Sequence, residues 1–152
     1  DGILGREELP VKDKVRAYCT LMHSLYFLQD KALEAMDVGL LILEELGVHF
    51  PRNNTKRATI VDLVKTKLLL RKLSVDDIAS TPLMEDETRL LQMQIMNKVC
   101  DLAYFARPAF LPWLVFKMVR ISIKRGLCKY SSGASACYGL LLVSIHGDIR
   151  KA

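Results

Sequence analysis

The chain has 152 residues, 51% of them apolar, with a net charge of +5. That is enough for one domain with its own core and excludes a disordered, low-complexity polypeptide. Leu, Lys and Ala are abundant, alternating β-branched runs are few and there are only five prolines, so the composition is that of an all-α protein.

Residues 1–10 read as a linker or the end of a preceding element, closed by Pro10. Val11 to Gln29 is expected as a helix, with Val15, Tyr18, Cys19, Met22, Leu25, Tyr26 and Gln29 at three- and four-residue spacing. A short turn at Gln29-Asp30 leads into Lys31–Pro51, the stretch around which the rest is organised. On a helical wheel Lys31, Glu34, Asp37, Glu44 and Glu45 fall in an arc of about 140°. Ala32, Leu33, Ala35, Met36, Gly39, Leu40, Ile42, Leu43 and Leu46 fill the remainder, and only Val38 and Leu41 lie on the polar side. So wide an apolar arc needs neighbours on more than one side. Ala32, Ala35 and Gly39 would let a partner helix approach closely, Gly47 supplies a left-handed cap and Pro51 bars continuation. Two helices so tightly joined make a hairpin.

Beyond a polar loop, Lys56 to Leu73 is a third helix with Ile60, Val61, Val64, Leu68 and Leu69 on one side. Ser74-Val75-Asp76-Asp77 is a capping box that opens a short helical turn, ended by Ser80-Thr81-Pro82. Leu83 and Met84 are expected to plug the core. Asp86 or Thr88 caps a helix that runs to about Arg107, broken by Pro108. Phe110 to Arg125 follows, with Gly126 past its end. Tyr130-Ser131-Ser132-Gly133 reads as a loop and Ala134 to His146 as a last apolar helix. Gly147 to Ala152 reads as a turn into the start of a helix with no room to form one, as expected of a piece of a longer protein. Residues 11–152 are therefore expected to form a single helical domain of about six helices.

Charge is patterned along the chain. Residues 52–72 hold seven bases against Asp62 alone, residues 76–87 hold five acids, and residues 117–129 hold five bases and no acid. Alternation of this kind lets adjacent helices complement one another. The basic run has no interleaved aromatics and no arginine-rich arm, which argues against nucleic acid.

Catalytic patterns are lacking. His23, His49 and His146 have no ligand spacing, Cys19, Cys100, Cys128 and Cys137 form no CxxC pair, and no GxSxG, HExxH or GK[ST] motif occurs. Paired acids at 76–77 and 85–87 sit at helix starts, where the macrodipole favours them. No metal, cofactor or enzymatic activity is expected of this segment. Scattered free cysteines point to a reducing, cytoplasmic setting. DGILGREEL has no signal-peptide character, and the longest apolar stretches, Leu111–Ile123 and Ala134–Ile145, are too short or too interrupted to span a bilayer. One feature invites a partner: Trp113, Lys117, Arg120 and Lys124 fall within about 60° of one helix face, with Phe110 at its edge. Such a stripe packs at the margin of a helix pair under Lys and Arg stems, or serves as a docking ridge.

GDIRKA at 147–152 resembles the turn between the two helices of a tetratricopeptide (TPR) repeat. The succession LGVHFP, TKLLLRKLSVDDIASTPLM, FARPAFLPWLVFKMVRISIKRG and YGLLLVSIHGD resembles the helical region of large multidomain signalling proteins. In these, a serine/threonine-kinase-like domain, an AAA-type ATPase and often GAF and histidine-kinase domains share one chain. The resemblance implies stacked antiparallel hairpins in a TPR-like α-solenoid segment. It also implies a scaffolding or regulatory role, binding a protein, a peptide or other domains of the same chain, with no catalytic residue in this segment. The alternative is a ligand-sensing solenoid domain of an ATPase-type transcription regulator.

Overall fold

The computed structural model describes residues 10–51 and 55–151, the side chains of 148–151 excepted. The expected linker, apart from Pro10, and most of the polar loop after Pro51 lie outside them. The protein is all-α, with seven α-helices and no strand among the described residues: α1 (Val11–His23), α2 (Ala32–Glu45), α3 (Lys56–Arg71), α4 (Val75–Ala79), α5 (Glu87–Ala106), α6 (Leu111–Arg125) and α7 (Ser131–Lys151). α1 ends in a π-helical turn, Ser24–Leu28, and a 3₁₀ turn, Pro108–Phe110, leads into α6.

The hairpin of α1 and α2 is laid against α5, α5 against α6, and α6 against α7, while α3 packs on α6. The core lies where α5 packs against α2 and against α6, among Met36, Ile42, Leu43, Ile95, Val99, Leu114 and Phe116. All six methionines are buried, which suits helices crossing at unequal angles, because the unbranched thioether fills irregular gaps. Gly39 of α2 sits where α1 and α5 converge. A Cβ there would collide with the Val99 side chain and lie 2.9 Å from Met22 Cε. Beyond α2, Gly47 adopts φ +82°. The Val48 amide donates to Leu43 (2.8 Å) and the Gly47 amide to Glu44 (3.0 Å), which closes a Schellman motif. The buried Gln92 of α5 donates to the Leu46 carbonyl at 2.6 Å, satisfying another carbonyl at that helix end.

The capping box at Ser74 is present in full: its hydroxyl accepts from the Asp77 amide, and the Asp77 carboxylate accepts from the Ser74 amide at 2.8 Å. Asp86, rather than Thr88, caps α5 through the Arg89 amide. The connector that follows α4 is tied to the α6–α7 turn by two bonds of 2.8 Å, Met84 amide to Leu127 carbonyl and Leu127 amide to Pro82 carbonyl. Of the two expected core plugs only Met84 is buried. Leu83 points to solvent, because successive residues of an extended segment face opposite ways.

Three departures from the sequence pattern have identifiable causes. α7 starts at Ser131, inside the expected loop. The Ser131 hydroxyl accepts from the Cys128 amide (2.9 Å) and shares a bond of 2.7 Å with Ser122 of α6, which anchors the helix start in the interior. At the other end the expected turn at Gly147 is absent, and the helix continues to Lys151. A single helix glycine costs about 1 kcal/mol, too little to end a helix without a following proline or a competing cap. Finally, the apolar side of α3 does not face the core. Ile60, Val61, Val64 and Leu68 are exposed, and the buried positions are Asp62, Leu63 and Thr66.

Candidate functional site

α3 is inverted because of what α6 presents to it. Arg120 Nη2 lies 2.9 Å from Asp62 Oδ1, and Nη1 donates to Thr66 Oγ1 at 2.8 Å and to the Asp62 carbonyl at 3.3 Å. Thr66 in turn donates to the Asp62 carbonyl. Buried charge is tolerated only when paired, so the polar edge of α3 turns inward to meet Arg120 and its aliphatic edge turns outward, although Asp62 Oδ2 has no hydrogen-bond partner among the described residues.

Lys117 of the cationic stripe is engaged within the chain as well. Lys117 Nζ donates to the His49 carbonyl at 2.7 Å and lies 4.9 Å from the centroid of Phe50, which packs against Phe110 at 5.2 Å. Burial lowers the Lys117 ammonium from its usual range, Arg120 adds to the lowering, and Asp62 opposes it. Trp113 is only 7% exposed, and its indole N–H has no hydrogen-bond partner among the described residues. Lys124, on the last turn of α6, is exposed. A cleft of about 550 Å³ remains between α3 and α6, bounded by His49, Lys65, Trp113, Lys117 and Arg120.

A different surface stands out, at the ends of α1 and α5. Phe27, Tyr104 and Phe105 are each about two-thirds exposed and Leu28 is 78% exposed. The rings form one continuous set: His23 to Phe27 (4.6 Å), Phe27 to Tyr26 (4.7 Å, edge-on), Tyr26 to Phe105 (6.4 Å, stacked) and Phe105 to Tyr104 (5.1 Å, edge-on). The π-helical turn places Phe27 and Leu28 there, since one extra residue per turn rotates the chain's last side chains off the α-helical face. A hollow of about 100 Å³ opens beside the rings, edged by Cys19, Lys98 and Asp101. Burial raises the Asp101 carboxyl, with Lys98 opposing. Burial also raises the Cys19 thiol, again opposed by Lys98, so this cysteine is a weak nucleophile.

Sequence spacing places Tyr26 and Tyr104 on buried faces and leaves Phe27 and Phe105 unassigned. The available signal is the repeated Tyr-Phe pair, at 26–27 and 104–105. Neighbours in a helix point about 100° apart, so both rings of a pair rarely find cover at a helix end.

Among the described residues, no group of three or more His, Cys, Asp or Glu side chains is placed to hold a metal ion. No described helix is long and apolar enough to cross a membrane. Comparison with protein families, with characterised proteins and with solved structures finds no match to this chain.

Proposed function

We propose that the chain is a non-catalytic helical scaffold that docks a protein, a peptide or another domain of its own polypeptide through the aromatic surface at the ends of α1 and α5. The exposed rings of Phe27, Tyr104 and Phe105, linked through the half-buried Tyr26, carry this reading. Aromatic side chains are enriched at interface centres because they cover much area at little entropic cost, and a soluble surface rarely leaves several together in water. Side-by-side hairpins joined through α2 and α5 are compatible with a diverged TPR-like solenoid, an architecture that leaves long faces free for recognition. With the sequence resemblance to multidomain ATPase and kinase fusions, the proposed role is regulatory contact between domains of a signalling protein.

The test places a photo-crosslinking residue at position 105 of the full-length polypeptide in its native cell. A discrete cross-linked species is expected, and Phe27→Glu removes it. Truncating one such ring costs about 2 kcal/mol at an interface centre, or roughly 30-fold in affinity. Cross-linking that is absent, or unchanged by Phe27→Glu, overturns the reading.

A second reading, a ligand-sensing domain, is favoured by the cleft between α3 and α6. Its lining sets Lys65, Lys117 and Arg120 against the single carboxylate of Asp62, and the net positive balance suits a small anion. A rise in melting temperature with carboxylate or phosphate metabolites supports this reading, and a flat response across such a panel counts against it.

A further inference from the structure

The outward face of α3 is an apolar stripe in a basic frame. Ile60, Val61, Val64 and Leu68 are exposed, and Arg57, Lys65, Lys67 and Arg71 stand beside them. Asp62, the one acid of the helix, points the other way and is consumed by Arg120. The four aliphatic side chains are each about half exposed, and Val61 and Lys65 form the edge where this face meets the α3–α6 cleft. Its electrostatic complement occurs in the same chain. The outward arc of α2 exposes Leu33 and Leu41 between Glu34, Asp37, Glu44 and Glu45. The only base at that arc, Lys31, already lies 3.6 Å from Glu34, and Asp37 reaches Arg107 at 3.1 Å across a half-exposed pair that an incoming base can share. The apolar marks also match in spacing: Ile60 to Leu68 and Leu33 to Leu41 each span eight positions, or about 12 Å of helix.

We infer that α3 of one copy docks on α2 of a second copy, so that the chain self-associates through two unlike surfaces. Leu33 and Leu41 meet the aliphatic stripe, and the acids of α2 face the bases of α3. Opposite fields of this kind accelerate encounter and fix register, while the apolar stripe supplies the non-directional part of the affinity. Because the two surfaces differ, the contact is heterologous and allows either rings or open chains of copies. It rests on the side chains of α3 and of the outward arc of α2 and not on the rings of Phe27, Tyr104 and Phe105, so its failure leaves the proposed docking function standing.

Blocking each surface separately tests it. Val64→Glu sets an acid against the acids of α2, and Leu41→Lys sets a base against the bases of α3. Both positions face solvent, and far-UV circular dichroism confirms that each variant folds. By sedimentation velocity at low ionic strength, where the Debye length is about 30 Å, the unmodified chain is expected to associate with concentration. Each variant alone is expected to weaken that association by roughly 30-fold or more. Mixing the two variants restores a 1:1 complex, because the intact α2 of one meets the intact α3 of the other, and salt weakens every species. An unmodified chain that stays monomeric overturns the inference. So does association that survives either variant, or a mixture that fails to assemble.

Discussion

Asp62 and Arg120 show how one pair of residues redirects a helix. Their side chains are 10% and 20% exposed, so each charge depends on the other for solvation it no longer obtains from water. Arg120→Met leaves a buried carboxylate with one oxygen already lacking a hydrogen bond among the described residues. The expected loss is about 3 kcal/mol, because a lone buried charge is penalised far more than a pair. The double variant Asp62→Leu/Arg120→Met removes both charges and should recover most of that loss. Urea denaturation of the two single variants and the double variant measures the coupling. A double variant no more stable than the single ones would mean that the pair does not hold α3 in place.

At the scale of elements, glycine and capping residues decide where helices approach and where they begin. Gly39 occupies the closest approach of α2 to α5 and α1. Gly39→Val drives methyl groups into Val99 and Met22, both fully enclosed, and is expected to cost about 2–3 kcal/mol through overpacking. Thermal unfolding reads this directly. The Ser74 box gives a pH-dependent counterpart. Hydrogen bonds from the Ser74 amide and then its hydroxyl lower the Asp77 carboxyl below its ordinary value of 3.8. A carboxyl lowered in the folded state contributes stability that is complete above the ordinary value and is lost as pH falls through the lowered one. The Ser74 amide resonance should therefore stay fixed from neutral pH to about 4 and move only below it. Asp77→Asn should abolish that acid-limb transition.

For the whole molecule, the distribution of burial sets an order of stability. α5 and α6 each enclose more side chains than any other helix, whereas α3 encloses a single apolar side chain, Leu63, beside the Asp62–Thr66–Arg120 cluster. Segments with few buried apolar contacts open at lower free energy than the core. Hydrogen–deuterium exchange should show α3 amides exchanging well before those of α5 and α6, with Arg120→Met widening the gap. Uniform protection across the three helices would show that α3 is held by more than this cluster. The same uneven coverage leaves apolar surfaces open, among them the aromatic ends of α1 and α5 and the aliphatic face of α3. An all-helical array presents such surfaces wherever a helix lacks a neighbour.

Local chemistry alone was sufficient for much of this fold. The period of apolar residues, Pro10, Gly47, Ser74, Asp86 and Pro108 mark the helices and most of their ends, because capping, φ restriction and the missing proline N–H act within a few residues. The free cysteines and scattered histidines are equally legible as lacking ligand spacing. Which way a helix faces was not legible, because orientation depends on residues distant in sequence. Arg120 lies 58 positions from Asp62 and turns the aliphatic side of α3 outward. Ser122 anchors the start of α7 at Ser131, and the stacking of Tyr26 on Phe105 assembles a ring surface from two pairs nearly eighty residues apart. Periodicity shows that a helix has two faces. Only the competition among all helices for a limited interior decides which face is covered, since that choice minimises the unpaired charge and exposed apolar area of the whole rather than of the segment.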